Sequence, residues 1–346
     1  MIASACGCGI MCGMSTSKVL LSTTDYVRVN FALNPIVIEV SEGVVKVCMT
    51  VNKPSLSNTA FHYMREDQRL VFDNPDSNIW ILATSAIQKC VVTEQARVFS
   101  GFDVAAGNVP GESAFSKFGR NPDINTASDP EDVWNGGGLY TGFPLGAAET
   151  LEIFSSDVND TSAGTGARTV LVSNLLDVNG AIQPDVIVSL NGTTPVIIGA
   201  GLYYRCNQMK VLTAGSSGEN LGSLTLRHSV TTANVFSVMS VGNNESTVCA
   251  YTVPLGYTLY IDNISMQLAR LGGVSGSANM SLRARPLGEV FQSKITPTIT
   301  DGGPFVGNDI YRVFTALTDI VVRVDSVSNN STIVTANLGG ILVLNI

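Results

Sequence analysis

The chain has few charged residues. They make up 14% of its 346 residues, whereas about 25% is usual in a soluble protein. Hydrophobic residues account for 45% of the chain, enough for a sizeable core, so Ser, Thr, Asn and Gly have to supply much of the surface. The formal net charge is -8. Because nucleic-acid binding depends on neutralising phosphates with Lys and Arg, this balance argues against a nucleic-acid partner.

Histidine is scarce as well. His62 and His228 are the only two in the sequence, which excludes a metal site built on three histidines of one chain. His62 lies in an apolar patch, where a packed or interface histidine is the simpler interpretation than a catalytic base. The glycines of Gly164–Thr169 lack the spacing of a P-loop or of G-x-G-x-x-G and precede a strand rather than a helix. We therefore expect a non-enzymatic protein without catalytic residues, cofactor or metal.

Long apolar runs are missing too. No stretch approaches the roughly 20 apolar residues of a membrane-spanning helix, and the first residues lack the basic start and apolar core of a secretory signal. We therefore expect synthesis in the cytoplasm and no membrane partner.

The seven cysteines are unevenly placed. Cys6, Cys8 and Cys12 crowd a Gly-rich start, which indicates an N-terminal arm over residues 1–18. A metal site, late disulfides at a subunit interface, and a true translation start at Met14 are the alternatives for this arm. The remaining four cysteines lie singly in apolar runs, where buried free thiols are expected.

Period-2 alternation and closely spaced turns predict an all-β protein in four segments. After the arm, residues 19–96 should form a small β-sandwich or barrel, with strands at Val27–Phe31, Ile36–Val40 and Val44–Val51. Residues 149–346 should form a large antiparallel sandwich of jelly-roll type, or two smaller sandwiches. Their predicted strands are Thr169–Val172, Val186–Leu190, Leu224–Leu226, Leu259–Ile261, Ile320–Val324 and the final apolar run from Ile341.

Residues 97–148 show no persistent period, and we name them the strap. Their density of Gly, Pro, Asn and Asp predicts an extended linker, and their aromatic residues argue against free disorder. We expect the strap to dock on its own domain or on a neighbouring subunit. The residues proposed to make these contacts, together with the three cysteines of the arm, are Phe115, Phe118, Trp134 and Tyr140.

The strap also carries carboxylates that could bind Ca²⁺ through oxygen ligands. Their spacing matches no EF-hand, so we interpret them as turn-forming side chains. They are Asp123, Asp129, Glu131 and Asp132.

Several stretches after the arm combine strand-like runs with polar turns, and in Asp160–Val172 the turn is spaced by glycines. They are Lys53–His62, Asp76–Ala83, Val91–Glu94, Lys117–Asp123, Pro130–Trp134, Asp160–Val172 and Tyr251–Pro254. Together they resemble virion structural proteins of tailed phages, especially marine and freshwater phages. The resemblance implies a β-rich subunit located in the virion and made in the host cytoplasm.

On this resemblance we expect a homo-oligomeric accessory subunit of the tail or collar, of adaptor or fibre type. Its partners would be copies of itself and other virion proteins, namely capsid, portal or tail proteins. A capsid decoration protein is one alternative. A carbohydrate-binding module that recognises a host surface glycan is the other, since aromatic side chains beside Asp and Asn suit sugar stacking.

Overall fold

The computed structural model describes the strands between Met14 and Gln95, and then residues 101–270, 276–301 and 303–345. The chain divides into two compact units, residues 1–100 and residues 101–346. The second unit begins within the predicted strap and contains most of it.

The first unit contains two four-stranded antiparallel sheets, with strand orders β1-β8-β3-β6 and β2-β7-β4-β5. Its strands are β1 (Met14–Leu20), β2 (Val27–Arg28), β3 (Ile36–Glu42), β4 (Val44–Thr50), β5 (His62–Arg65), β6 (Arg69–Phe72), β7 (Asn78–Ala83) and β8 (Lys89–Gln95). Val47, Ile79 and Ile81 are buried, as the alternation of apolar residues along β4 and β7 requires. Strands were predicted from the sequence at the positions of β2, β3 and β4.

The second unit contains one short helix and eighteen described strands. The elements up to the middle of the unit are α1 (Gly101–Ala105), β9 (Glu112–Ile124), β10 (Glu131–Asp132), β11 (Glu149–Ser155), β12 (Ala167–Leu176), β13 (Ile182–Gln183), β14 (Val186–Ser189), β15 (Val196–Tyr203), β16 (Arg205–Ala214), β17 (Leu224–His228) and β18 (Val235–Met239). The remainder are β19 (Ala250–Thr252), β20 (Tyr257–Arg270), β21 (Ser277–Pro286), β22 (Gln292–Ile295), β23 (Thr298–Thr300), β24 (Phe305–Phe314), β25 (Thr318–Val327) and β26 (Thr332–Leu344).

These strands form two sandwiches, one inserted into the other. In the outer sandwich, a sheet of order β24-β20-β26-β9 faces a sheet of order β10-β25-β21-β22, in which β19 also pairs with β25 and β23 with β21. Side chains from both sheets share one apolar core that includes Ile264, Leu282 and Val322. The chain leaves this sandwich after β10 and returns at β19.

The inserted sandwich consists of β11–β18. One sheet has the order β15-β11-β17-β18, and in the other β12 pairs with β13, β14 and β16. Its separate core includes Leu151, Val170, Leu226 and Phe236. The all-β prediction is therefore confirmed, and the region from residue 149 contains two separate main cores and a smaller apolar cluster that includes Val248 and Val321, rather than one large core.

The predicted strap differs from the structure. Thirteen of its residues form β9, which pairs along its length with β26, and β10 pairs with β25. The buried positions of β9 include Lys117, Gly119 and Asn121 beside Phe115. Because polar and glycine residues occupy inward positions, the period-2 pattern is concealed in the sequence. Pro122 is tolerated because β9 is an edge strand.

Gly119 allows β9 to lie against the neighbouring backbone. A Cβ at this position would be 2.3 Å from the backbone nitrogen of Cys249 and 2.4 Å from the carbonyl oxygen of Val133. Only a residue without a side chain fits this approach, which brings the edge of the outer sandwich close to the chain that returns from the inserted one.

The final apolar run was expected to form an internal strand, and this is confirmed. It belongs to β26, which lies between β20 and β9 and pairs with both. Across the residues that the structure describes, no helix is both long and apolar enough to cross a membrane.

Candidate functional site

The two sandwiches meet at a buried carboxylate, Asp319, which is fully excluded from solvent at the start of β25. The guanidinium of Arg205, on β16 of the inserted sandwich, donates from Nε to Oδ1 and from Nη2 to Oδ2, both at 3.0 Å. Arg285, on β21, donates from Nε to Oδ2 at 3.2 Å. One carboxylate is thus shared by two arginines, one from each sandwich.

Backbone carbonyls and a hydroxyl group pair with most of the remaining hydrogen-bond donors and acceptors of these charged side chains. Thr252 donates its hydroxyl to Asp319 Oδ1 at 2.6 Å. Arg205 also donates to the carbonyl oxygen of Pro144 at 2.8 Å, and Arg285 donates to that of Phe143 at 3.0 Å. Since a buried ion pair is stable only when its remaining donors and acceptors are satisfied, this network fixes the two sandwiches in one arrangement.

Aromatic rings cover the two guanidinium groups. Arg205 Cζ lies 4.1 Å from the ring centroid of Tyr204, and Arg285 Cζ lies 4.4 Å from that of Phe291. Next to them, the ring of Tyr140 is edge-on to both Trp134 and Phe143, with centroids 5.2 Å and 4.8 Å away. The strap aromatics therefore pack on their own chain.

Of the four aromatic residues proposed for subunit contacts, three are wholly or largely inside the protein. Trp134 and Phe115 are buried, and Tyr140 is partly buried and donates its hydroxyl to the carbonyl oxygen of Phe236 at 2.9 Å. We expected the strap to dock either on its own domain or on a neighbouring subunit. In the structure it docks on its own chain. Phe118 alone of the four stays exposed at the surface.

The proposed cysteines of the arm, Cys6, Cys8 and Cys12, lie outside the described residues, as do the side chains of Cys48 and Cys90. Cys206 and Cys249 are buried free thiols, as predicted. Burial raises the pKa of each to about 12. Both are therefore thiols, and poor nucleophiles, at neutral pH.

The glycine-spaced phrase that begins at Asp160 is a structural junction. The buried carboxylate of Asp160 accepts hydrogen bonds from the Ser155 hydroxyl at 2.6 Å and from the backbone nitrogens of Ala167, Leu221 and Gly222 at 2.7 to 2.9 Å. A Cβ on Gly166 would lie 2.0 Å from Asp160 Oδ1. The glycine spacing makes room for this carboxylate, which ties the ends of three strands together.

The carboxylates of the strap also have protein partners. Asp132 accepts from Arg323 Nε at 2.7 Å, and Glu131 accepts from Asn121 Nδ2 and from the backbone nitrogen of Gly138, both at 2.8 Å. Asp129 accepts from the backbone nitrogen of Val327 at 3.1 Å, and Asp123 accepts from the side chain of Asn125 at 3.3 Å. They order turns of the strap and link it to β25. Within the part of the chain that the structure describes, no three His, Cys, Asp or Glu side chains converge on a metal-sized site.

A cleft of about 200 Å³ lies beside the network, where β9 faces β12 and β16. Lys117, on β9, is buried there and donates from Nζ to the carbonyl oxygen of Asn207. The Asn207 side chain bonds in turn to both backbone groups of Thr252, at 3.0 and 3.1 Å. Burial lowers the pKa of Lys117 below its ordinary value, although nearby Cys206, Cys249 and Glu245 oppose the shift. The cleft and the network thus form one continuous polar region.

Sequence reasoning missed the residues of this region. The side chains of Lys117, Arg205 and Asp319 are each less than a tenth exposed. Charged residues are seldom buried unless they are paired, so their burial was not expected from the sequence. The available signal was a charged residue in an apolar run, as in Asp319-Ile-Val-Val. The partners of such a residue are distant in sequence, so the pattern alone does not identify them.

A buried histidine in the inserted sandwich makes a second polar site. His228 Nε2 lies 3.2 Å from the carbonyl oxygen of Tyr203, and Nδ1 lies 3.1 Å from the Asn234 amide nitrogen and 3.7 Å from Glu149 Oε1. A neutral ring with its proton on Nε2 satisfies both hydrogen bonds. Burial lowers the pKa of His228 below its ordinary 6.5, against the smaller opposing effects of Tyr203 and Glu149.

Comparisons with known proteins identify no family. No protein-family model matches the chain, and no curated protein matches it. Among solved structures, the chain is similar to the N-terminal CBM22-1–CBM22-2 tandem domain of Xyn10C from Paenibacillus barcinonensis. The identity is 9%, the match covers 97% of this chain and 92% of that one, and the TM-score is 0.21. A TM-score this low carries no argument about function.

The shared carboxylate gives a stability prediction. In Asp319→Asn, two largely buried guanidinium groups lose their counter-charge, so unfolding of the second unit should become easier by about 3–5 kcal/mol. Glu152→Gln is the matched control, because it removes the charge that pairs with Arg227. The side chains of Glu152 and Arg227 are 12% and 28% exposed, so the loss of stability should be about 0–1 kcal/mol. Urea denaturation followed by tryptophan fluorescence measures both. Equal losses in the two variants would contradict the role assigned to Asp319.

The buried histidine gives a pH prediction. The folded state holds His228 neutral, whereas the unfolded chain takes up a proton near pH 6.5. The folding free energy from this site is therefore fully present above pH 6.5 and is lost as the pH falls below it. Urea midpoints between pH 7.5 and 5.5 should decline less in His228→Gln than in the native chain, with His62 present in both. An NMR titration that gives His228 a pKa of 6.5 or higher would contradict this.

Proposed function

We propose that the chain is a non-enzymatic structural subunit of a virion of the tailed-phage type, present in many copies. Two features support this. The first is the resemblance of its strand-and-turn stretches to such proteins. The second, which carries the proposal, is an uncharged surface on the inserted sandwich that suits contact with another subunit.

This surface, the apolar edge, is formed by three exposed side chains on two neighbouring strands. Ile187 on β14 is 64% exposed, and Ile197 and Leu202 on β15 are 48% and 59% exposed. No charged residue occurs between Asp185 and Arg205. Exposed branched apolar side chains without charges between them are unusual on a monomer and typical of an interaction surface.

Backbone groups are available at the same place. β14 and β15 are each at the edge of their sheet, and within the described strands each pairs on one side only. Natural proteins protect such edges with charged residues or proline because an unprotected edge pairs with another chain. Residues 196–203 contain neither a charge nor a proline. A second copy of this chain, with the same uncharged edge, is the partner that these features favour.

We place the subunit at the tail or collar, as an adaptor or fibre-type protein. Two separate compact β units supply distinct surfaces for two different neighbours, which an adaptor needs. The buried Asp319 network links the two sandwiches of the second unit, as a position under mechanical load requires. A capsid decoration protein is the alternative, because a stiff subunit with an apolar edge also suits a clamp on the head surface.

Self-association through the apolar edge is testable in solution. The full-length chain should sediment as an oligomer at micromolar concentration, and Leu202→Lys should shift it towards the monomer because a charge would then be buried at the contact. Val290→Lys is the matched control, since Val290 is 76% exposed on the outer sandwich, and it should leave the oligomer unchanged. A native chain that is monomeric at every concentration, or equal effects of both substitutions, would contradict the proposed contact.

The place in the particle is tested by immunogold electron microscopy. Antibody raised against the chain should label the neck or tail of purified particles of the phage that encodes it. Label over the whole head would replace the adaptor role with the decoration role. Absence of the chain from purified particles, checked by immunoblotting of the denatured particles, would contradict a virion protein altogether.

A further inference from the structure

The cleft beside the Asp319 network has features of a ligand site that assembly through the apolar edge does not use. Its volume of about 200 Å³ corresponds to about six or seven water molecules at roughly 30 Å³ each. It lies between the two sandwiches, which the buried ion pair of Arg205 with Asp319 links. A ligand of this site would therefore be small, or would insert one small unit of a longer chain.

The lining mixes hydrogen-bond donors and acceptors. Asn174 and Gln208 supply carboxamides, Glu245 supplies a carboxylate, and Lys117 supplies an amine. Lys117 would oppose a cationic ligand and Glu245 an anionic one. A ligand whose groups both donate and accept matches such a lining, and hydroxyl groups have this property.

Two of the polar groups have unused hydrogen-bonding capacity. Lys117 is only 8% exposed, and its amine has a single protein acceptor among the described residues, the carbonyl oxygen of Asn207. The carboxamide of Asn174 makes no hydrogen bond to any described part of the protein, and its backbone is in the left-handed region at φ 52°. A β-strand residue rarely adopts this conformation, and such positions cluster at ligand sites.

Three aromatic residues line the cleft. Phe115 and Tyr251 are buried, whereas Phe118 is 36% exposed. A partly exposed ring beside polar groups suits a ligand with an apolar face and polar edges. A sugar ring has C–H groups on its faces and hydroxyls around its edge.

We propose that this cleft binds one sugar unit of a glycan, with a ring face against Phe118 and hydroxyls bonded to Lys117, Asn174 and Glu245. The site is formed jointly by β9 of the outer sandwich and by residues of the inserted one. Its residues are distinct from the apolar edge, so a subunit that loses self-association by Leu202→Lys should retain the glycan site.

The test is saturation-transfer difference NMR of the full-length chain with four probes at millimolar concentration: the methyl glycosides of glucose, galactose, mannose and N-acetylglucosamine. At least one probe should receive saturation, strongest at the protons of one ring face. Phe118→Ala should weaken its binding by about tenfold, and Asn174→Ala should weaken it severalfold. Both side chains are exposed, so both variants should keep the native melting temperature.

Phe102→Ala is the matched control, because the Phe102 ring is 87% exposed and does not line the cleft. It should leave binding unchanged. Absence of saturation transfer to all four probes would overturn the proposal. Binding that persists in both Phe118→Ala and Asn174→Ala, or that is lost equally in Phe102→Ala, would place the sugar elsewhere and overturn the assignment of the cleft.

Discussion

A buried carboxylate links the two sandwiches of the second unit by charged hydrogen bonds. Asp319 accepts from Arg205 of the inserted sandwich and from Arg285 of the outer one. Each sandwich has its own apolar core, and a smaller apolar cluster around Trp134, with Val235 and Val238 of β18 packed against it, lies where the two sandwiches meet. Charged hydrogen bonds are directional and costly to break when buried. They therefore select one arrangement, on which both the shape of the cleft and the position of the apolar edge depend.

This constraint connects the two proposals for the protein. An assembly subunit has to transmit contact forces without deforming, and a network that locks two sandwiches supplies the stiffness. A binding cleft has to keep its polar groups in place, and Lys117 is held by Asn207, whose side chain leads through Thr252 to Asp319. Stiffness and preorganisation thus have the same physical origin. The apolar edge and the cleft are separate surfaces, so the two proposals are independent of each other.

The strap shows which strands an apolar sequence pattern predicts and which it does not. Strands such as β12 and β25 were predictable because their apolar residues form runs or alternate. The strand β9 was not, because Lys117, Gly119 and Asn121 occupy its inward positions, each for a tertiary reason: an acceptor on the inserted sandwich, a close backbone approach, and a hydrogen bond to Glu131. The proposed contact residues Phe115 and Trp134 became core residues for the same reason, since their burial depends on strands that are distant in sequence.

The sequence by itself determined the all-β class, several strands such as β12 and β25, the buried free thiols at Cys206 and Cys249, and the low charge of the surface. These follow from local alternation, turn residues and composition, which act over a few residues. The tertiary structure alone decided that one sandwich is inserted into another, which charges meet, and where the cleft lies. The pairs that carry these features, such as Arg205 with Asp319, are more than a hundred residues apart. Only folding brings them within hydrogen-bonding distance.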